Sequence, residues 1–128
     1  MKKIMLSVIM GFLVFTMGWL GCSRITSPKN QNESDDYILI KGKEFSLNPD
    51  EITLTAESTA SIIFANVGTI AHNLTIGEFN VQSRTIQSNT RDTMTFTPDT
   101  TGRFPMWCDV PGHRNAGMEG LVIVRGQQ

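Results

Sequence analysis

From Tyr37 onward the chain alternates apolar and polar residues in steps of two, and no stretch carries the helical period of about 3.6 residues. Ile52 and Leu54 alternate with Thr53 and Thr55. His72, Leu74 and Ile76 fall on one face, with Asn73 and Thr75 on the other. Met94 and Phe96 alternate with Thr93, Thr95 and Thr97. A period of two puts alternate side chains on opposite faces of a pleated strand, so each such stretch needs a sheet with one buried face. Strands are expected at 37–41, 44–47, 51–56, 59–66, 72–78, 82–87, 92–97, 102–108 and 120–125. Turn signals separate them: Asn48-Pro49-Asp50, Val67-Gly68-Thr69, Pro98-Asp99 and Pro111-Gly112. Many short strands in one small domain predict an all-β, antiparallel sandwich or small barrel.

The chain has 128 residues, enough for one such domain and too few for a large multi-cofactor enzyme. Its formal net charge of −1 gives no electrostatic reason to bind nucleic acid. Residues 1–21 stand apart from the fold. Lys2 and Lys3 precede an uncharged apolar run from Ile4 to Gly21, which closes on Leu20-Gly21-Cys22. The run resembles a bacterial lipoprotein signal, in which the cysteine after a small residue is lipidated and becomes the new N-terminus. Cys22 is then the lipidation site. The alternative is an uncleaved membrane anchor, since about 18 apolar residues can span a bilayer. Either way the domain is expected outside the cytoplasm, facing a membrane. Two of the 11 basic residues and none of the 12 acidic ones lie in 1–21, so the remainder carries a net charge of −3. Residues 22–36 are polar and read as a flexible tether. Residues 37–128 form the expected folded domain.

The chemistry concentrates in Gly102 to Met118. Strand alternation puts Phe104, Met106 and Cys108 on one face, so Cys108 ends a strand with its sulfur inward. Pro111-Gly112 turns the chain, His113 follows Cys108 after four residues, and Met118 follows His113 after four more. The sole other histidine, His72, lies on the apolar face of an earlier strand. Alone, a buried cysteine is a small hydrophobe, a buried histidine a core residue and a methionine a gap filler. Met106, Phe104 and Trp107 read that way. Brought together, His72, Cys108, His113 and Met118 make the donor set of a His₂Cys copper site with a weak axial methionine. Binding a metal would also remove the oxidation liability of a free thiol outside the cytoplasm.

This segment resembles the copper loop of the cupredoxins, the blue-copper electron-transfer family. Its Cys-x4-His-x4-Met spacing is similar to that of the rusticyanin and sulfocyanin branch, and Cys108-Asp-Val-Pro-Gly-His113 is the string of plastocyanin-like domains. The stretches Phe45–Ile52 and Asn66–Asn73 look like the matching early strands. The resemblance spans roughly Tyr37 to Val124 and implies a Greek-key β-sandwich of about seven to eight strands. It implies one type 1 copper ion, with His72, Cys108 and His113 equatorial and Met118 axial. It gives Asn73 a steadying role beside the ligands. It also implies an apolar docking patch around the edge of His113, built from Pro111, Gly112, Ala116 and Gly117, with Val67 and Ile70 extending it.

Zinc also takes cysteine and histidine, but gains little from a thioether. The binuclear copper centre of respiratory oxidases needs a second cysteine in the loop, and position 112 is glycine. Multicopper oxidases and copper nitrite reductases need further histidines, and this chain has two. The expected function is therefore not enzymatic. It is a membrane-tethered carrier of single electrons, a monomer that docks transiently with a redox donor and a redox acceptor. The alternative is a copper-handling protein for storage, delivery or sensing. An even pair of cysteines in an exported chain first suggests a disulfide. Here Cys22 and Cys108 read as unrelated, one a lipid anchor and the other a copper thiolate.

Overall fold

In the computed structural model, which describes residues 36–128, the alternating stretches are strands that bury one face each. The expected signal segment, the tether up to Asp35 and the lipidation site Cys22 lie outside the described residues. The strands are β1 (Tyr37–Lys43), β2 (Ser46–Asn48), β3 (Glu51–Thr55), β4 (Ala60–Asn66), β5 (Thr75–Ile76), β6 (Val81–Gln82), β7 (Arg91–Phe96), β8 (Gly102–Trp107) and β9 (Glu119–Arg125). A single 3₁₀ turn, Gly77–Phe79, is the one helical element among the described residues.

Two sheets form. One has the order β2-β1-β4-β7 and the other β3-β9-β8-β5-β6. Their inner faces meet in a core that includes Ile40, Ile52, Leu54, Ile62, Phe64, Met94, Met106, Val122 and Val124. The all-β sandwich expected from the sequence is what forms. The pairing differs from the expected antiparallel arrangement at two places. β1 lies parallel to β4, with Tyr37 opposite Ser61 and Gly42 opposite Asn66. β3 lies parallel to β9, with Glu51 opposite Leu121. The physical reason is that a period of two decides which face is buried and says nothing about the direction of the neighbour.

The strand expected at 72–78 narrows to Thr75–Ile76, and the one at 82–87 to Val81–Gln82. Ahead of β5 and after β6 the ladder is reduced to one bridge between His72 and Ile86. Side chains take over the pairing there. The Leu74 N–H donates to Ser83 Oγ at 2.9 Å, and Asn73 turns its amide toward the loop after β8. The strand expected at 44–47 starts later, at Ser46, because Glu44 and Phe45 form a turn.

Candidate metal centre

Cys108 directly follows β8, and its N–H donates to Met118 O at 3.0 Å, extending the β8–β9 pairing by one step. Between them the chain folds into a tight run of turns. The N–H of His113 bonds Val110 O, Ala116 bonds Gly112 O and Met118 bonds His113 O, at 3.0 to 3.1 Å. Gly112 has φ +85 and Gly117 φ +106, which L side chains rarely adopt, so both positions suit glycine. On the outer side of this loop, Arg114 lies over the Trp107 ring at 4.2 Å and bonds Glu119 at 3.1 Å.

His72 reaches the same place from the other side. Its N–H and C=O bond Ile86 at 3.1 and 2.8 Å. Asn66, fully buried at the end of β4, anchors this segment. Its Nδ2 donates to Ile70 O at 2.7 Å and Ile86 O at 2.9 Å, and its Oδ1 accepts from the Gly68 N–H at 2.9 Å. Asn73 Oδ1 accepts from the Asp109 N–H at 2.7 Å, tying the segment after His72 to the residue after Cys108.

The structure thus brings together His72, Cys108 and His113, all buried, with donor atoms within 4.8 Å of one another. The His72 and His113 Nδ1 atoms are 3.1 Å apart. Cys108 Sγ is 3.4 Å from His113 Nδ1 and 3.9 Å from His72 Nδ1. A triangle with those edges has a circumradius of about 2.0 Å, the length of a metal–nitrogen bond and a few tenths of an ångström short of a metal–sulfur bond. Met118 is fully buried beside them, its side chain facing Gly42 of β1. The donor set and its spacing fit one ion. Burial, reinforced by the nearby His113 and opposed by Glu44, holds the His72 imidazole below its ordinary pKa of 6.5. A neutral imidazole is the form that ligates a metal.

Glu44 and Phe45, passed over as site residues in the sequence, both reach this centre. The Phe45 ring meets the His113 ring edge-on at 5.1 Å. Glu44 Oε1 accepts from the Thr69 N–H, and from Thr69 Oγ1 and the Ile70 N–H at 3.1 Å each. The Thr69, Glu44 and Ile70 backbone N–H groups hold its carboxyl down at about 2, from an ordinary 4.5. The signal for this pair was the charged residue breaking the alternation between β1 and β2. Pro111, Gly112, Ala116 and Gly117 are all exposed. His113 is 9% exposed, and Phe45, Val67 and Ile70 keep between 39% and 48% of their surface exposed.

A sequence model of the cupredoxin-like domain matches residues 11–124. The chain belongs to the cupredoxin-like family. Its fold is similar to reduced auracyanin from Roseiflexus castenholzii, at TM-score 0.64 and 21% identity over 70% of this chain and 96% of that one. It is also similar to auracyanin A, a "blue" copper protein from Chloroflexus aurantiacus, at TM-score 0.60 and 22% identity over 70% and 98%. A third likeness, at TM-score 0.58 and 21% identity over 70% and 84%, is to the metal-binding domain of the Streptococcus pneumoniae D39 Cu(I)-exporting P-type ATPase CopA with Cu(I). No curated protein matches the sequence. In this cupredoxin-like chain, His72, Cys108 and His113, together with Met118, are arranged as a type 1 copper site.

Proposed function

We propose that this cupredoxin-like protein carries single electrons between extracytoplasmic redox proteins, held at a membrane by a lipid on Cys22. The observation that carries the reading is the convergence of three buried donors, His72, Cys108 and His113, from two separate parts of the sandwich. In this reading these three would hold the ion, with Met118 as a weaker fourth donor. A copper ion bound there supplies a centre that takes up and returns one electron. The chain's own contribution is rigidity and exclusion of water. Cys108, Met118 and His72 are each 0% exposed. The Met118–Cys108 and His72–Ile86 backbone bonds pin the donors to the sheets. A site that cannot relax on redox keeps reorganisation small, which favours fast transfer over catalysis.

His113 is the donor nearest the surface; Phe45 packs on its ring, and the exposed Val67 and Ile70 with the small loop residues Gly112, Ala116 and Gly117 would complete an apolar rim. That apolar rim suits small transient interfaces with a redox donor and a redox acceptor, each met by a monomer of this protein. The copper-loaded protein is expected to have an intense visible thiolate-to-copper absorption band. Cys108→Ser should abolish it, and a variant that kept the band would sink the ligand assignment.

The likeness to the metal-binding domain of a Cu(I) exporter supports a second reading, copper delivery or storage. Exchangeable Cu(I) sites use exposed thioethers. Here Met94, Met106 and Met118 are all buried, which weighs toward the carrier. Reversible voltammetry without copper loss fits the carrier, and ready transfer of copper to an acceptor apoprotein fits the alternative.

A further inference from the structure

His72 Nε2 is the one buried side-chain nitrogen or oxygen without a hydrogen-bond partner among the described residues. Leaving such a group unpaired costs about 1–3 kcal/mol, so its surroundings call for a reason. The charge facing it is Glu44, whose Oε1 lies 3.7 Å away. That is too long for a hydrogen bond, and it sets the carboxylate charge directly against the outer edge of the ring. The carboxylate cannot swing off. The Thr69 and Ile70 N–H groups and the Thr69 hydroxyl grip the same oxygen. Gly68 lies against it so closely that any Cβ there would fall on the carboxylate.

We infer that Glu44 is a positioning residue for the copper site, a fixed negative charge behind His72 that orients its ring and lowers the reduction potential. The inference rests on the copper reading of this site. A carboxylate behind a ligating histidine favours the tautomer with the proton on the outer nitrogen, and makes the inner nitrogen a stronger donor. Here the outer nitrogen is Nε2, and Nδ1 is left facing Cys108 and His113. A fixed negative charge also favours the more positive of two oxidation states. The same carboxylate holds Thr69 and Ile70, so one residue sets the first ligand and shapes the apolar rim. Its neighbour Phe45 covers His113.

The test uses the full-length protein. Glu44→Gln keeps an oxygen to accept from Thr69 and Ile70 and removes only the charge. The expected results are a higher reduction potential by voltammetry and, in the metal-free protein, loss of the Nε2-protonated His72 tautomer by nitrogen NMR. Thr69→Val removes one neutral contact, keeps the charge, and should leave the potential in place. An unchanged potential in Glu44→Gln overturns the inference, as does an equal rise in Thr69→Val, which would make the role purely one of loop support. Should Glu44→Gln not fold, wild-type His72 decides. A proton on Nε2 supports the inference and a proton on Nδ1 overturns it. A wild type that takes no copper defeats the copper reading, while the NMR result still tests the pairing of Glu44 with His72.

Discussion

Replacing Asn66 with alanine should cost more than any other single polar truncation near the copper site. Its side chain makes three hydrogen bonds at 2.7, 2.9 and 2.9 Å while 1% exposed. Each such bond contributes about 0.5–1.5 kcal/mol net, so their joint loss is about 3 kcal/mol. The groups left behind do not suffer equally. Ile86 O retains the His72 N–H, and Ile70 is exposed enough for water to reach it. The buried Gly68 N–H loses its acceptor, so most of the penalty falls there. Asn73→Ala is the internal standard, since it removes one short bond at 2.7 Å and a long one at 3.4 Å. Its expected cost is about 1 kcal/mol. Urea unfolding of the metal-free protein, followed by far-ultraviolet circular dichroism, reads both. With a slope of about 1–3 kcal/mol per molar, Asn66→Ala should lower the midpoint by about 1–3 M at unchanged slope. A midpoint loss no larger than that of Asn73→Ala would refute the view that Asn66 anchors the His72 segment.

Gly42→Ala should destabilise the fold by about 1–3 kcal/mol, because a Cβ there would sit 2.5 Å from Phe64 Cζ and 3.0 Å from Met118 Cε. It should also alter the copper spectrum, by displacing Met118, and an unshifted spectrum would count against Met118 as the axial donor. Phe45→Ala should cost about 1 kcal/mol by removing the edge-on contact with His113. It should also slow electron self-exchange between copies, measured by NMR line broadening; an unchanged rate would detach Phe45 from the docking rim. In the metal-free protein, burial holds the folded His72 pKa below 6.5. The unfolded chain therefore binds more protons as pH falls. The contribution of His72 to stability is complete above pH 6.5 and is lost as the pH drops toward the folded pKa. The slope is at most about 1.4 kcal/mol per pH unit, and urea midpoints across pH measure it.

Much of the centre was legible because it is local. Cys108, His113 and Met118 lie within one short loop. Pro111-Gly112 announces the turn that gathers them, and Cys108 ends a strand whose parity points it inward. The buried faces were legible for a similar reason, since Ile52, Leu54, Met94, Val122 and Val124 each follow the period of two and each is buried. Glu44, Phe45 and Asn66 escaped notice as site residues because nothing in their own neighbourhoods says what they meet. Glu44 finds Thr69 and His72 only across the gap between β1 and the segment after β4. Phe45 meets His113, far along the chain.

By itself the sequence determined which face of the longer strands carries the core and that a thiol, an imidazole and a thioether come from one loop, because pleat parity and turn chemistry act over a few residues. Only the tertiary structure decided that β1 lies parallel to β4 and β3 parallel to β9, since parity carries no direction. It also decided that His72 completes the triangle of donors and that Glu44 stands behind it. Those contacts join connecting segments far apart in the chain, and packing of the two sheets brings them together.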